Sequence, residues 1–184
     1  MKINKIKRLC LEAKRFVLFR GPDAMWFSDG NNLWIVEGIQ LERQGLADLF
    51  GLNHKQVDKC LLQDGVSDLR CYSAAQQYDD EQLYYEGDVL DGDRQLAAMR
   101  TAHGEILFVR RDCLEPCSLD EADFLLRRDG EGEPLIAVFD GMLCEALLRP
   151  ARADVAELIR RNMARLGGMP VLDFAPEDGA DEAV

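Results

Sequence analysis

No apolar run in this chain approaches the roughly 20 residues that cross a bilayer. Runs such as Leu33 to Val36 and Leu135 to Phe139 have four and five residues, so neither a membrane span nor a membrane partner is expected. A secretory leader is not expected either, because Ile3, Ile6, Leu9 and Cys10 are interleaved with Lys2, Lys5, Lys7 and Arg8 and no continuous apolar stretch follows the basic start. Histidine is almost missing. His54 and His103 are the two in the chain, and neither sits beside a nucleophile elbow that would place it in a Ser-His-Asp or Cys-His arrangement. There is no phosphate-binding loop, no glycine-rich dinucleotide fingerprint and no H-E-x-x-H pair. The acidic run Asp88, Asp91, Asp93 lacks the sixth-position glycine and closing glutamate of a calcium loop. These absences argue against catalysis, and the expectation is a non-enzymatic protein with no metal and no cofactor.

What is present is a globular composition. Of 184 residues, 47% are hydrophobic and 30% charged, enough apolar surface to offset the chain entropy of one core. The expected layout is a single α+β domain over 1–170, followed by an acidic, disordered tail over 171–184. Six cysteines (Cys10, Cys60, Cys71, Cys113, Cys117, Cys144) read as reduced, mostly buried thiols, which points to the cytoplasm.

The net charge is −12, unevenly spread. Residues 1–15 carry six basic groups against Glu12, and residues 149–166 carry five arginines against Asp154 and Glu157. Ile3, Ile6, Leu9, Cys10 and Ala13 recur at helical spacing with the basic residues opposite. Val155, Leu158, Ile159, Met163 and Leu166 repeat the pattern, which predicts a helix at each terminus. Lys2, Lys5, Lys7, Arg8, Arg152, Arg160, Arg161 and Arg165 are therefore the candidate nucleic-acid-binding residues.

Between these helices, short apolar runs alternate with glycine turns, and Asp29-Gly30 and Asp140-Gly141 are hairpin signals. A meander of antiparallel strands follows from that pattern. Arg15 to Gly38 and Asp123 to Pro150 share the order strand, turn, strand, Asp-Gly turn, strand; they are either a pseudo-duplication or two meanders with the same turn chemistry. Residues 42–62 read as one or two helices, and 73–93 as a polar, acidic connection.

Four motifs carry alternative readings. Residues 46–61 have the spacing of a helix-turn-helix, with Asn53, His54, Lys55, Gln56 and Lys59 toward a major groove, which would make the chain a transcriptional regulator; a net negative charge over 42–64 favours a packed helix pair instead. His103-Gly104-Glu105 followed by Pro116-Cys117 is a fragment of the zinc-deaminase signature, but position 120 is Asp and the spacing is too short. Cys113, Cys117 and His103 could supply three zinc ligands where a structural site takes four. Trp26, Phe27 and Trp34 could anchor a partner, although strand aromatics more often pack a core.

The run INKIKRLCLEAKRFVLF (3–19), the phrase Met25-Trp26-Phe27-Ser28-Asp29-Gly30 and the run IAVFDGMLCEALLRP (136–150) resemble an uncharacterised family of small phage or prophage proteins. That resemblance implies an accessory role without transferable chemistry. Duplicated meanders with paired basic helices are also similar in architecture to one domain of a DNA sliding clamp, although the chain is much shorter than a clamp subunit. The clamp resemblance implies DNA, or a protein of DNA metabolism, as partner and allows a homo-oligomer. An interaction protein with no nucleic-acid role is the remaining alternative.

Overall fold

Helix α1 (Ile3–Ala13) forms where the sequence spacing predicts it, and buries Ile6, Leu9 and Cys10. It stops at Lys14, which adopts the left-handed conformation with φ 53° and returns its N–H to Cys10 O and Leu11 O. In the computed structural model, residues 2–36, 43–153 and 158 are described. Residues 1–153 form one compact unit and 154–184 a second; in the second, Leu158 is described and is helical. The predicted C-terminal helix and the tail otherwise lie outside the described residues, as do Arg160, Arg161 and Arg165.

After α1 come β1 (Arg15–Arg20), β2 (Met25–Ser28), β3 (Leu33–Val36), α2 (Arg43–Leu49), α3 (His54–Lys59) and β4 (Leu61–Val66). A 3-10 turn at Arg70–Tyr72 leads to β5 (Glu81–Asp91), β6 (Arg94–Thr101), β7 (Ile106–Arg110), α4 (Arg111–Leu114), β8 (Ala122–Arg128), β9 (Pro134–Asp140) and β10 (Leu143–Leu148). The ten strands make one sheet in the order β4-β1-β2-β3-β10-β9-β8-β5-β6-β7. The protein is α+β with a mostly antiparallel sheet. One expectation changes here, since β4 runs parallel to β1, pairing Arg15 with Leu61 through Arg20 with Val66. A second change is β5, an 11-residue strand within the stretch read as a polar connection.

Both Asp-Gly turns form as the sequence requires, with Gly30 at φ 98° and Gly141 at φ 58°. The two similar stretches become the meanders β1-β2-β3 and β8-β9-β10, which meet side by side at β3 and β10. Helix α4 packs against α1; the expected pairing of α1 with a C-terminal helix falls outside the described residues. Lys2 N donates to Pro116 O at 3.0 Å and ties the start of α1 to the segment after α4.

Both faces of the central strands are covered. On one, α1 and α4 pack over Phe16, Leu18, Phe27, Trp34, Ile136 and Val138. On the other, Trp26, Leu33, Ile35, Ala137, Phe139 and Leu147 form a second cluster, against which Tyr72 and Ala74 pack. The two tryptophans thus belong to opposite faces, both wholly buried, and serve the core.

Arg127 pins the segment 70–80 onto the second face. Its guanidinium, 3% exposed, forks onto Asp80 at 2.8 and 2.7 Å and donates to the carbonyls of Cys71, Ser73 and Ala75. Such a planar, five-donor group can satisfy a carboxylate and several carbonyls at once, which an ammonium cannot.

Candidate functional site

The basic residues of α1 face the protein's own carboxylates. Glu115, just past α4, accepts from Lys5 Nζ at 2.8 Å and from Arg8 Nη2 at 3.0 Å. Arg8 also lies 3.9 Å from Glu12, Glu12 lies 3.4 Å from Arg110, and Arg110 binds Asp112. Three cations and three carboxylates therefore close into one surface network. The hydrogen bond from Lys5, reinforced by Arg8, holds Glu115 below the ordinary carboxylate range. Burial pushes Asp112 up, but the hydrogen bond and charge of Arg110 outweigh it and leave Asp112 low as well. A depressed carboxylate stabilises the fold above its unfolded pKa. The contribution is complete above roughly pH 4 to 5 and fades as acid protonates these groups.

The other candidates divide. Lys7 Nζ donates to Gly51 O at 3.1 Å, while Lys2 and Arg152 are exposed. A different set of exposed cations, Lys14, Arg15, Arg20, Lys55 and Lys59, lies along β1 and around α3, and none of these makes a salt bridge to a described residue. Sequence reading counted Lys14 and Arg15 with α1 and overlooked Arg20.

Residues 46–61 span the end of α2, a helix of seven residues that begins at Arg43, and the whole of α3, of six. Asn53 and Gln56 are engaged in a reciprocal capping box, Asn53 Oδ1 accepting from Gln56 N and Gln56 Oε1 from Asn53 N, both at 3.0 Å. Two of the five residues assigned to a groove thus hold the helix start, whereas His54 and Lys55 are exposed.

The structure separates the zinc candidates. Cys113 and Cys117 are buried at α4, while His103 is exposed in the β6–β7 turn. Among the described residues no three His, Cys, Asp or Glu groups converge as metal ligands. Burial pushes the thiols of Cys10, Cys71, Cys113 and Cys117 up, and that of Cys144 up to about 12. Since the thiolate is the nucleophile, these are inert core groups. In the folded protein near pH 8, an aromatic disulfide reagent should modify Cys60 first, with the other five reacting once denaturant is added. Rapid labelling of two or more thiols in native buffer would contradict that order.

A cavity of about 970 Å³ is lined by Asp29, Asn32, Arg110, Cys113, Glu131 and Arg149 among others. Its buried polar groups belong to the β2–β3 turn. Asp29 accepts from Asn31 N at 2.9 Å, Asn32 N at 2.7 Å and Asn32 Nδ2 at 3.0 Å, and Asn32 Oδ1 accepts from Arg149 N at 3.0 Å. These bonds satisfy the turn and leave no general base beside a reactive thiol.

Known proteins offer no guide: no family model, no curated protein and no solved structure matches this chain. The reading therefore rests on the surface itself. Its outstanding contrast lies between Lys5 and Arg8 of α1, which are paired with carboxylates, and the cations beside β4, which make no salt bridge to a described residue. Sequence could not show that contrast, because Glu115 stands 107 residues from Arg8.

Proposed function

We propose that this is a non-catalytic accessory protein that works by docking onto another protein rather than by gripping nucleic acid. The supporting observation is the closed network of Lys5, Arg8 and Arg110 with Glu12, Asp112 and Glu115. A DNA footprint needs cations available to phosphates, and three of the cations at the α1–α4 face are held by carboxylates. The buried, protonated thiols and the turn-bound polar groups of the large cavity support the non-catalytic part.

The clamp-like reading keeps partial support in the order of elements. A helix precedes a three-stranded meander twice, α1 before β1-β2-β3 and α4 before β8-β9-β10, and the two meanders join at β3 and β10. Duplication of a helix-meander unit accounts for this order, and a phage or prophage setting suits a small accessory protein. In a clamp, however, the paired helices would line a channel for DNA, and here Lys5, Arg8 and Arg110 on that face are engaged by carboxylates.

Duplex binding measures the choice. Fluorescence anisotropy with a labelled duplex of about 20 bp at about 50 mM salt should show only weak association for the native protein. Glu115→Gln releases Lys5 and Arg8. Affinity should rise about 5- to 10-fold and the salt slope should steepen by up to about two ions. Tight, steeply salt-dependent binding by the native protein, unchanged in Glu115→Gln, would overturn the proposal in favour of a nucleic-acid role.

A further inference from the structure

Strand β4 ends the sheet, and the parity of its hydrogen bonds shows which groups it leaves open. Leu61 N donates to Lys14 O at 2.9 Å and Ser67 N donates to Arg20 O at 3.0 Å. The residue between them in parity, Gln63, faces β1 in the same way, as does Gly65, because N–H and C=O groups alternate sides along a strand. The N–H and C=O of Leu62, Asp64 and Val66 therefore point away from the sheet, and no described strand pairs with them. Leu61 and Val66 are 46% and 72% exposed.

A cavity of about 280 Å³ lies beside this edge, with Val17, Phe19, Tyr72 and Leu135 on its apolar side next to Gly65 and with Arg15, Gln63 and Arg149 among its polar lining. Gly65 is required there. A Cβ at this position would meet Phe19 Cδ2 at 2.8 Å, so Phe19 lies across the glycine and against Tyr72, its ring centroid 4.9 Å away. Arg15, Val17 and Phe19 alternate with Phe16 and Leu18 and so share one face of β1.

Resting on the reading of the protein as a protein-docking module, we infer that the β4 edge takes an extended, acidic segment of a partner protein as an eleventh strand. Outward N–H and C=O groups at strand spacing bind backbone, and the cavity beside Gly65 takes one apolar side chain of the added strand. Charge selects its other residues. Lys14, Arg15, Arg20, Lys55 and Lys59 surround the edge with Asp58, Asp64 and Asp68 as the nearby anions in sequence, so carboxylates two residues from the apolar anchor meet Arg15. A second copy fits poorly. Antiparallel β4 pairing about a twofold normal to the sheet joins positions of equal parity, so Asp64 meets Leu62, Val66 or Asp64 itself and no cation, while the same basic residues of both copies are brought to one seam.

The test uses the full-length protein and a phage-displayed library of random peptides about 12 residues long. The expected result is an enriched pattern of alternating residues with one large apolar position and flanking Asp or Glu. Asp64→Pro removes an outward donor and spares the ladder to β1, so it should weaken the selected synthetic peptide at least about 20-fold while the melting temperature holds. Arg15→Glu should weaken it about tenfold, the equivalent of about 1.4 kcal/mol. Peptides that bind Asp64→Pro undiminished would overturn the edge site and leave the docking role standing. No enrichment, together with tight duplex DNA binding, would overturn both. Concentration-dependent dimerisation abolished by Asp64→Pro would assign the edge to a second copy and overturn the partner-peptide proposal.

Discussion

Replacing Arg127 with methionine should lower the unfolding free energy by about 3 to 5 kcal/mol, because it strands a buried Asp80 carboxylate and three carbonyls. That loss compares with the whole stability of many domains. Asp80→Asn should cost less, since the amide keeps a shape that can still meet the guanidinium. The pair Arg127→Met with Asp80→Leu should recover much of the loss, because removing both charges also removes their desolvation penalty. Urea denaturation followed by tryptophan fluorescence reads both stability and location. Trp26 Nε1 donates to Tyr72 O at 3.1 Å, so unpinning the 70–80 segment should shift Trp26 emission to the red before global unfolding. A loss under about 1 kcal/mol for Arg127→Met would show that the network is not the clasp described above.

Arg127 also marks where sequence reading stopped. The stretches Arg15 to Gly38 and Asp123 to Pro150, each read as three strands around an Asp-Gly turn, formed β1–β3 and β8–β10, because alternation and Asp-Gly turns report local geometry. The two strands that were missed had misleading signals. In β4, Asp64-Gly65 looks like a turn, yet the glycine is there to admit the ring of Phe19. In β5, Glu86, Gly87, Asp88 and Asp91 depress strand propensity. Its eight registered pairs with β6 override that preference, and the bulge at Gly87, with φ 121°, absorbs the irregular residue. Helix α4, at four residues, is too short to show a period.

The candidate site was legible as a charge count and illegible as a surface. Counting basic residues in 1–15 gave one patch. The fold divides it: Lys5 and Arg8 turn toward Glu115, while Lys14 and Arg15 pass to the β1–β4 edge. Which carboxylate meets which cation depends on contacts across most of the chain. Arg127 could have been suspected from alternation, since it shares parity with Leu125 on β8 and thus an inward face, but its partner Asp80 belongs to a segment without any period.

The seam between the two meanders sets the second large effect. β3 and β10 join through only two registered pairs, Trp34 with Ala146 and Leu33 with Leu147. Trp34 fills the space above the small Ala146, and its Nε1 donates to Cys113 O at 3.1 Å, which anchors α4 over the seam. Trp34→Ala should therefore cost about 3 to 5 kcal/mol, from lost burial plus a cavity flanked by rigid strands. Trp34→Phe keeps most of the apolar area and loses the indole donor, so about 1 to 2 kcal/mol is expected. Because α4 carries the segment leading to Glu115, the phenylalanine variant should also loosen the ion network on α1. Hydrogen exchange reads this directly: amides of α1 and α4 should lose protection in Trp34→Phe, while those of β5 and β6 keep theirs. Uniform loss across the sheet would instead mean that Trp34 contributes only to global stability and does not hold the helix pair in place.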